Sequence, residues 1–103
     1  MQIVPLQPTP NQTVVVSLDG QVCQINVYQT ARGLFTDLYV DNSLVIGGVL
    51  CHDRCRIVRS AYLGFSGDLS FLDNQGTSDP DYTGLGPDVG SRFNLAYLEP
   101  GEL

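Results

Sequence analysis

Cys51-His52-Asp53-Arg54-Cys55 gathers two thiols and the single histidine of the chain into one short run, and Cys23 supplies a third thiol further back. Two or three Cys with a His is the donor set of a structural zinc site. The spacing opposes that reading. Neighbouring side chains on a strand point to opposite faces, so Cys51 and His52 share a metal only where a strand ends. Cys23 already has a place on an apolar strand face, where a free cysteine packs as a small hydrophobe. An odd cysteine count without a secretory leader also argues against a disulfide framework.

Catalytic arrangements are weaker still. No serine sits in a G-x-S-x-G elbow, and Gly64-Phe65-Ser66-Gly67-Asp68 has the wrong glycine spacing and reads as a turn. Gly84-Leu85-Gly86-Pro87-Asp88-Val89-Gly90 matches neither dinucleotide nor P-loop glycine spacing, and no helix is predicted after it. Asp79 and Asp81 form a carboxylate pair two residues apart in one loop, whereas glycosidase chemistry needs two acids held across a pocket. Calcium needs about six oxygens, more than this stretch offers at suitable spacing. No catalytic, cofactor or metal residue is assigned.

The charged residues narrow the partner classes. Nine Asp, two Glu, five Arg and no Lys give a formal net charge of −6. That balance opposes phosphate backbones, and only Arg54, Arg56 and Arg59 form a basic cluster. It is either a solvated face or an interface, since arginine favours fixed contacts made through several bonds. Nearly absent Lys and Glu argue against surface helices. No run approaches the roughly 18–20 apolar residues of a membrane span, and Met1-Gln2-Ile3-Val4-Pro5 lacks signal-peptide character, so a cytosolic product is expected. Asn11-Gln12-Thr13 matches a glycosylation sequon that has no consequence without secretion.

The elements that must position these groups are strands. Val14, Val16 and Leu18 alternate up to Asp19-Gly20, a strong two-residue hairpin signal, and Cys23, Ile25 and Val27 alternate after it. Counting back from the turn pairs Val16 with Cys23 and Val14 with Ile25, which puts both apolar sets on one face. A second hairpin, with Asp41-Asn42-Ser43 as a three-residue loop, sets Val40 opposite Leu44, Leu38 opposite Ile46, Thr36 opposite Gly48 and Leu34 opposite Leu50. Its reverse face carries Phe35, Asp37 and Tyr39 against Val45, Gly47 and Val49, a mixture suited to cover by another chain. Further strands are predicted over Arg56–Tyr62, Asp68–Leu72 and Arg92–Leu98. The 103 residues therefore read as one all-β domain, a small antiparallel β-barrel or β-sandwich built from hairpins. Residues 1–11, with Pro5, Pro8 and Pro10, form an extended N-terminal arm, and 74–91 are loop-rich.

Several stretches in order carry a resemblance: "IVPLQPTPNQTVVVSLDGQVCQINVYQ", "GLFTDLYVDNSLVIGGVLCHDR", "YLGFSGDLSFLD", and "GTSDPDYTGLG" followed by "RFNLAYL". Over nearly its full length the chain resembles the short baseplate plug proteins of contractile-tailed bacteriophages, of the type found in a cyanophage baseplate. The resemblance implies a virion structural protein made in the host cytoplasm, set near the tail axis between tube, hub and spike or their adaptors. It implies no catalytic residue and no cofactor. Tail symmetry, threefold at the spike and sixfold in the tube, implies a homomeric ring, trimer before hexamer.

Under that reading Ser78–Gly86 becomes a docking loop. Pro80 stiffens it, Gly84 and Gly86 permit tight bends, Asp79 and Asp81 cap nearby amides, and Tyr82 and Leu85 are presented outward. The candidate contact residues are Arg54, Arg56, Arg59, Asp79, Asp81, Tyr82 and Leu85. Two other classes stand beside it, a small β-barrel ligand-binding module and a metal-dependent or cysteine enzyme, the latter marked by metal content and thiol reactivity. The cysteine spacing yields a direct expectation: elemental analysis finds fewer than about one zinc per ten chains. A stoichiometric signal lost in Cys51→Ser or Cys55→Ser would overturn it.

Overall fold

The computed structural model describes residues 2–59, 65–87, 90–99 and 101. Among these residues seven strands follow one another: β1 Gln2–Val4, β2 Asn11–Leu18, β3 Gln21–Thr30, β4 Gly33–Val40, β5 Ser43–Leu50, β6 Asp68–Asp73 and β7 Phe93–Leu98, with a short 3-10 helix at Tyr82–Gly84. They form two antiparallel sheets, β2-β3-β4-β5 and β1-β7-β6. The arrangement is sandwich-like, with no closed barrel among the described residues, in keeping with the expected all-β class.

The first hairpin has the predicted register, Val16 opposite Cys23 and Val14 opposite Ile25. Asp19 and Gly20 have φ of 50° and 75°, the left-handed pair whose twist matches that of the flanking strands. The β4–β5 turn departs from expectation. Asp41 and Asn42, with φ of 50° and 66°, form a two-residue turn, so Val40 meets Ser43 and Tyr39 meets Leu44. Asn and Asp tolerate the left-handed region well enough to close the shorter turn. Irregularities on either side of Leu38 then restore Leu38 opposite Ile46 and set Thr36 opposite Val49 and Phe35 opposite Leu50. As a result Leu44 lies on the reverse face of the sheet, 58% exposed.

The core lies between the two sheets. Ile25, Val27, Leu34 and Leu38 from one side pack with Leu69, Phe71, Leu95 and Tyr97 from the other, all at most 1% exposed. Val4 and Leu6 join them, so the proline-containing start of the chain contributes core residues and its first strand pairs with β7. Gln12 holds the rest of that arm: its Nε2 donates to the Gln7 carbonyl at 2.6 Å, and its Oε1 accepts from the Gln7 amide at 2.9 Å.

The strand expected over Arg56–Tyr62 is not formed in its described part. Arg56 makes an isolated bridge to Ser70, and the Ile57 amide donates to Leu69 O at 2.9 Å. The next two amides, of Val58 and Arg59, go instead to the buried Asp68 carboxylate at 2.8 Å each. A side-chain acceptor competes there with the ladder, and Arg59 turns away at φ 65°. Residues 60–62 lie outside the described residues.

The packing separates two neighbours on β3. Ile25→Ala is expected to cost about 2–5 kcal/mol because Ile25 is fully buried between the sheets, while Gln24→Ala, on the reverse face, costs less than about 1 kcal/mol. Equilibrium denaturant unfolding checks both values.

Candidate functional site

At the end of β6 the chain buries a carboxylate. Asp73 is 1% exposed and its oxygens accept from four donors: Arg92 Nε at 3.2 Å, Arg92 Nη2 at 3.1 Å, the Gln75 amide at 2.9 Å and the Ser78 amide at 2.8 Å. The Arg92 bond and these amides hold its carboxyl down at about 2 against the opposing effect of burial. The Arg92 guanidinium also lies over the Phe93 ring, 5.1 Å from its centroid. Asp73 thereby closes the turn after β6 and ties it to the chain entering β7.

The Cys51–Cys55 run reads differently in three dimensions from any metal centre. Cys51 is buried, with its Sγ 3.0 Å from the Thr36 hydroxyl, and burial pushes its thiol up to about 12. Cys23 is buried in the core and Cys55 is exposed. Among the described residues no three His, Cys, Asp or Glu side chains converge as a ligand group. His52 Nδ1 lies 3.1 Å from Asp79 Oδ2, and the Asp53 amide donates to Asp79 Oδ1 at 3.1 Å. Those two contacts, His52 first, hold the Asp79 carboxyl below its ordinary range. Asp53 in turn accepts from the Asp73 amide at 2.9 Å.

The predicted contact residues divide into those that brace the loops, exposed though their charged ends are, and those that do not. Arg54 is an anchor: it donates to Gly76 O and Asp73 O, both at 3.2 Å, and pairs with Asp53. Asp79 and Asp81 are also structural, the first clamping the 51–55 segment and the second accepting from the Thr83 amide at 3.0 Å to cap the 3-10 helix. Arg56 and Arg59 are exposed; Arg59 Nε donates to Arg56 O at 2.6 Å. Tyr82 is half-buried against the core, and its amide donates to Gln29 Oε1 at 3.0 Å. Leu85, expected to be presented outward, is 4% exposed in the core and makes a bridge to Phe93. Transfer from water explains the inversion: the loop folds over β7, and its one large aliphatic side chain is drawn beneath it.

Gly84 and Gly86 are required for closeness more than for bending. A Cβ at Gly84 would meet the Phe93 ring and one at Gly86 would meet the Ser91 side chain. Asn94, on the reverse face of β7 by alternation, is buried because its Nδ2 donates to Gly86 O at 3.1 Å. Asp73, Arg92, Asp68 and Asp53 were not singled out from the sequence. The available signal was a lone arginine immediately before β7 and an aspartate closing β6, opposite charges at the adjoining ends of paired strands.

A second surface is the outer face of β2-β3-β4-β5. Val15, Val22 and Leu44 are 68%, 56% and 58% exposed. Tyr28 and Phe35 stack across β3 and β4 at 5.8 Å with 13° between their planes. Asp37, the carboxylate of this face, accepts from the Gly48 amide at 2.7 Å and the Tyr28 hydroxyl at 3.3 Å. Among the described residues no helix is long and apolar enough to cross a membrane.

The described residues thus form a small β-sandwich whose acids mostly brace its own loops and whose outer sheet face, polar but nearly uncharged, leaves Val15, Val22 and Leu44 in the open. The chain is a member of the family described as cyanophage baseplate Pam3 plug gp18, which it matches over residues 1–100. That family gives it a structural role in a phage tail baseplate, among phage tail proteins. No curated protein matches the chain.

The buried carboxylate has a pH signature. A group whose folded pKa is depressed contributes stability that is present above its unfolded value and lost as pH falls through the folded one. Asp73 places that window between about 4 and about 2. Thermal unfolding should show the wild type losing stability across this interval, with Asp73→Asn less stable at neutral pH and flatter within the interval.

Proposed function

We propose that the protein is a non-enzymatic packing component near the tail axis, lying between tube, hub and spike, made in the host cytoplasm and built into the virion as a homomeric ring, trimer before hexamer. The observation that carries this reading is the family match over residues 1–100. The geometry supports it. The 51–59 and 73–86 segments are cross-braced by Asp53, Asp73, Asp79 and Arg54, so they hold a fixed shape in advance, and pre-ordered loops lose less entropy on docking.

In this reading the contact groups are the exposed Arg56 and Arg59 and, separately, the half-buried Tyr82. Arg54, Asp79 and Asp81 serve the interface by holding its loops, and Leu85 supports it from within the core. Localising the chain in a density map of the intact tail tests the position and copy number directly. Arg56→Glu reverses an exposed charge whose side chain makes no bond among the described residues. It should leave stability within about 0.5 kcal/mol of wild type yet lower the yield of complete tails. Normal tails in normal number from this variant and from Tyr82→Ala would remove the loop cluster from the interface.

A further inference from the structure

Each sheet of this sandwich has two edges, and three of the four are guarded. β1 is three residues long and followed by Pro5. β6 is covered on its outer side by the 53–57 segment, through bridges from Asp53 to Phe71 and from Arg56 to Ser70. β5 is interrupted by register shifts and by Gly48 at φ 66°. Short strands, proline, covering segments and bulges are the devices that keep sheet edges from pairing with other chains. Among the described residues β2 has none of them. It is eight residues long, pairs with β3 without a register shift, and contains no charged residue and no proline.

The direction of its free groups follows from the hairpin. Leu18 and Gln21 close the two-residue turn, so residues 18, 16 and 14 exchange hydrogen bonds with β3 while the amides and carbonyls of Ser17, Val15 and Thr13 point off the sheet. The arm, held by Gln7 and Gln12, lies at the start of the strand and leaves Thr13–Ser17 as the accessible stretch. That stretch, Thr13-Val14-Val15-Val16-Ser17, is palindromic in chemistry about Val15.

We propose that in the free protein this edge pairs with the same edge of a second copy, antiparallel, with Val15 on the two-fold axis. Val15 then lies opposite the partner's Val15, Thr13 opposite the partner's Ser17, and Val14 opposite the partner's Val16. Apolar side chains face apolar ones and hydroxyls face hydroxyls on both surfaces of the joined sheet. About six main-chain hydrogen bonds form across the seam. No charge lies within the seam, so two chains of net charge −6 meet where neither carries one. The 68% exposed Val15 and the half-buried Val14 and Val16 are covered by the same contact. An isologous two-fold is the commonest closed symmetry, and it leaves no edge at the seam for further growth. Such a pair has no direction along a one-way tail axis, so it belongs to the chain before assembly and is separate from the ring proposed for the virion.

Sedimentation or light scattering of the purified chain, from micromolar up to about 1 mM, reads the result. The mass should approach twice 11.2 kDa. Val15→Pro removes an amide that points off the sheet, so the single-copy ladder keeps all its bonds while the seam loses its centre. Val15→Lys keeps the backbone and sets two like charges against each other on the axis. Both variants should sediment as single chains with unchanged far-UV circular dichroism; if the proline variant unfolds, the lysine variant decides. A monomeric wild type, open-ended fibres, or a dimer or trimer that persists in Val15→Lys would overturn the proposal.

Discussion

Asp73 lies where three parts of the chain meet, and its four donors come from all of them: the turn it opens, the loop that continues from that turn at Ser78, and the arginine that leads into β7. A carboxylate can be this deeply buried only because every oxygen is satisfied and one partner carries the opposite charge. The loops depend on it. Its own amide is held by Asp53, whose neighbour Arg54 binds Asp73 O and Gly76 O, and the Asp53 amide is held in turn by Asp79. Acids in this protein therefore act chiefly as acceptors for backbone amides, and the abundance of Asp over Glu follows from reach: the shorter side chain can turn back to an amide a few residues away at less entropic cost.

That use of charge joins the fold to the role of the family. A 103-residue sandwich has little interior, and its loop-rich end would be mobile if it relied on apolar contacts alone. Cross-bracing by aspartate gives the loop end a fixed outline, while Leu85 and Pro80 are buried beneath it. Two of the five arginines, Arg54 and Arg92, take part in this bracing, while Arg32, Arg56 and Arg59 are exposed. The outer sheet face is of another kind: nearly uncharged, with Val15, Val22 and Leu44 in the open. One protein thus offers two dissimilar surfaces, a loop end shaped by charged groups and a nearly uncharged sheet face, which suits a component of a baseplate.

Composition and periodicity were enough to read strands β2 to β7, the all-β class and the register of the first hairpin, because alternation and an Asp-Gly turn are local signals whose geometry has few solutions. The turn at Asp41-Asn42 was less determinate: two- and three-residue closures differ by one position, and the irregularities beside Leu38 that reconcile the shorter turn with the core depend on both strands at once. Leu44 changed faces for that reason. Leu85 moved inward because burial is decided by what covers a residue, and the cover comes from β7, eight residues further on. The acids and arginines were visible as types, yet their partners were not, since Asp73 with Arg92 and Asp53 with Asp79 are pairs separated by long stretches of chain. By itself, then, the sequence determined strands β2 to β7, the all-β class and the family the chain resembles, all properties of short-range pattern, whereas β1 and the loss of a strand at 56–59 depend on distant partners, β7 and the Asp68 carboxylate. Tertiary structure alone decided which charges are anchors and which are exposed, because hydrogen-bond partners and solvent access exist only once distant segments have been brought together.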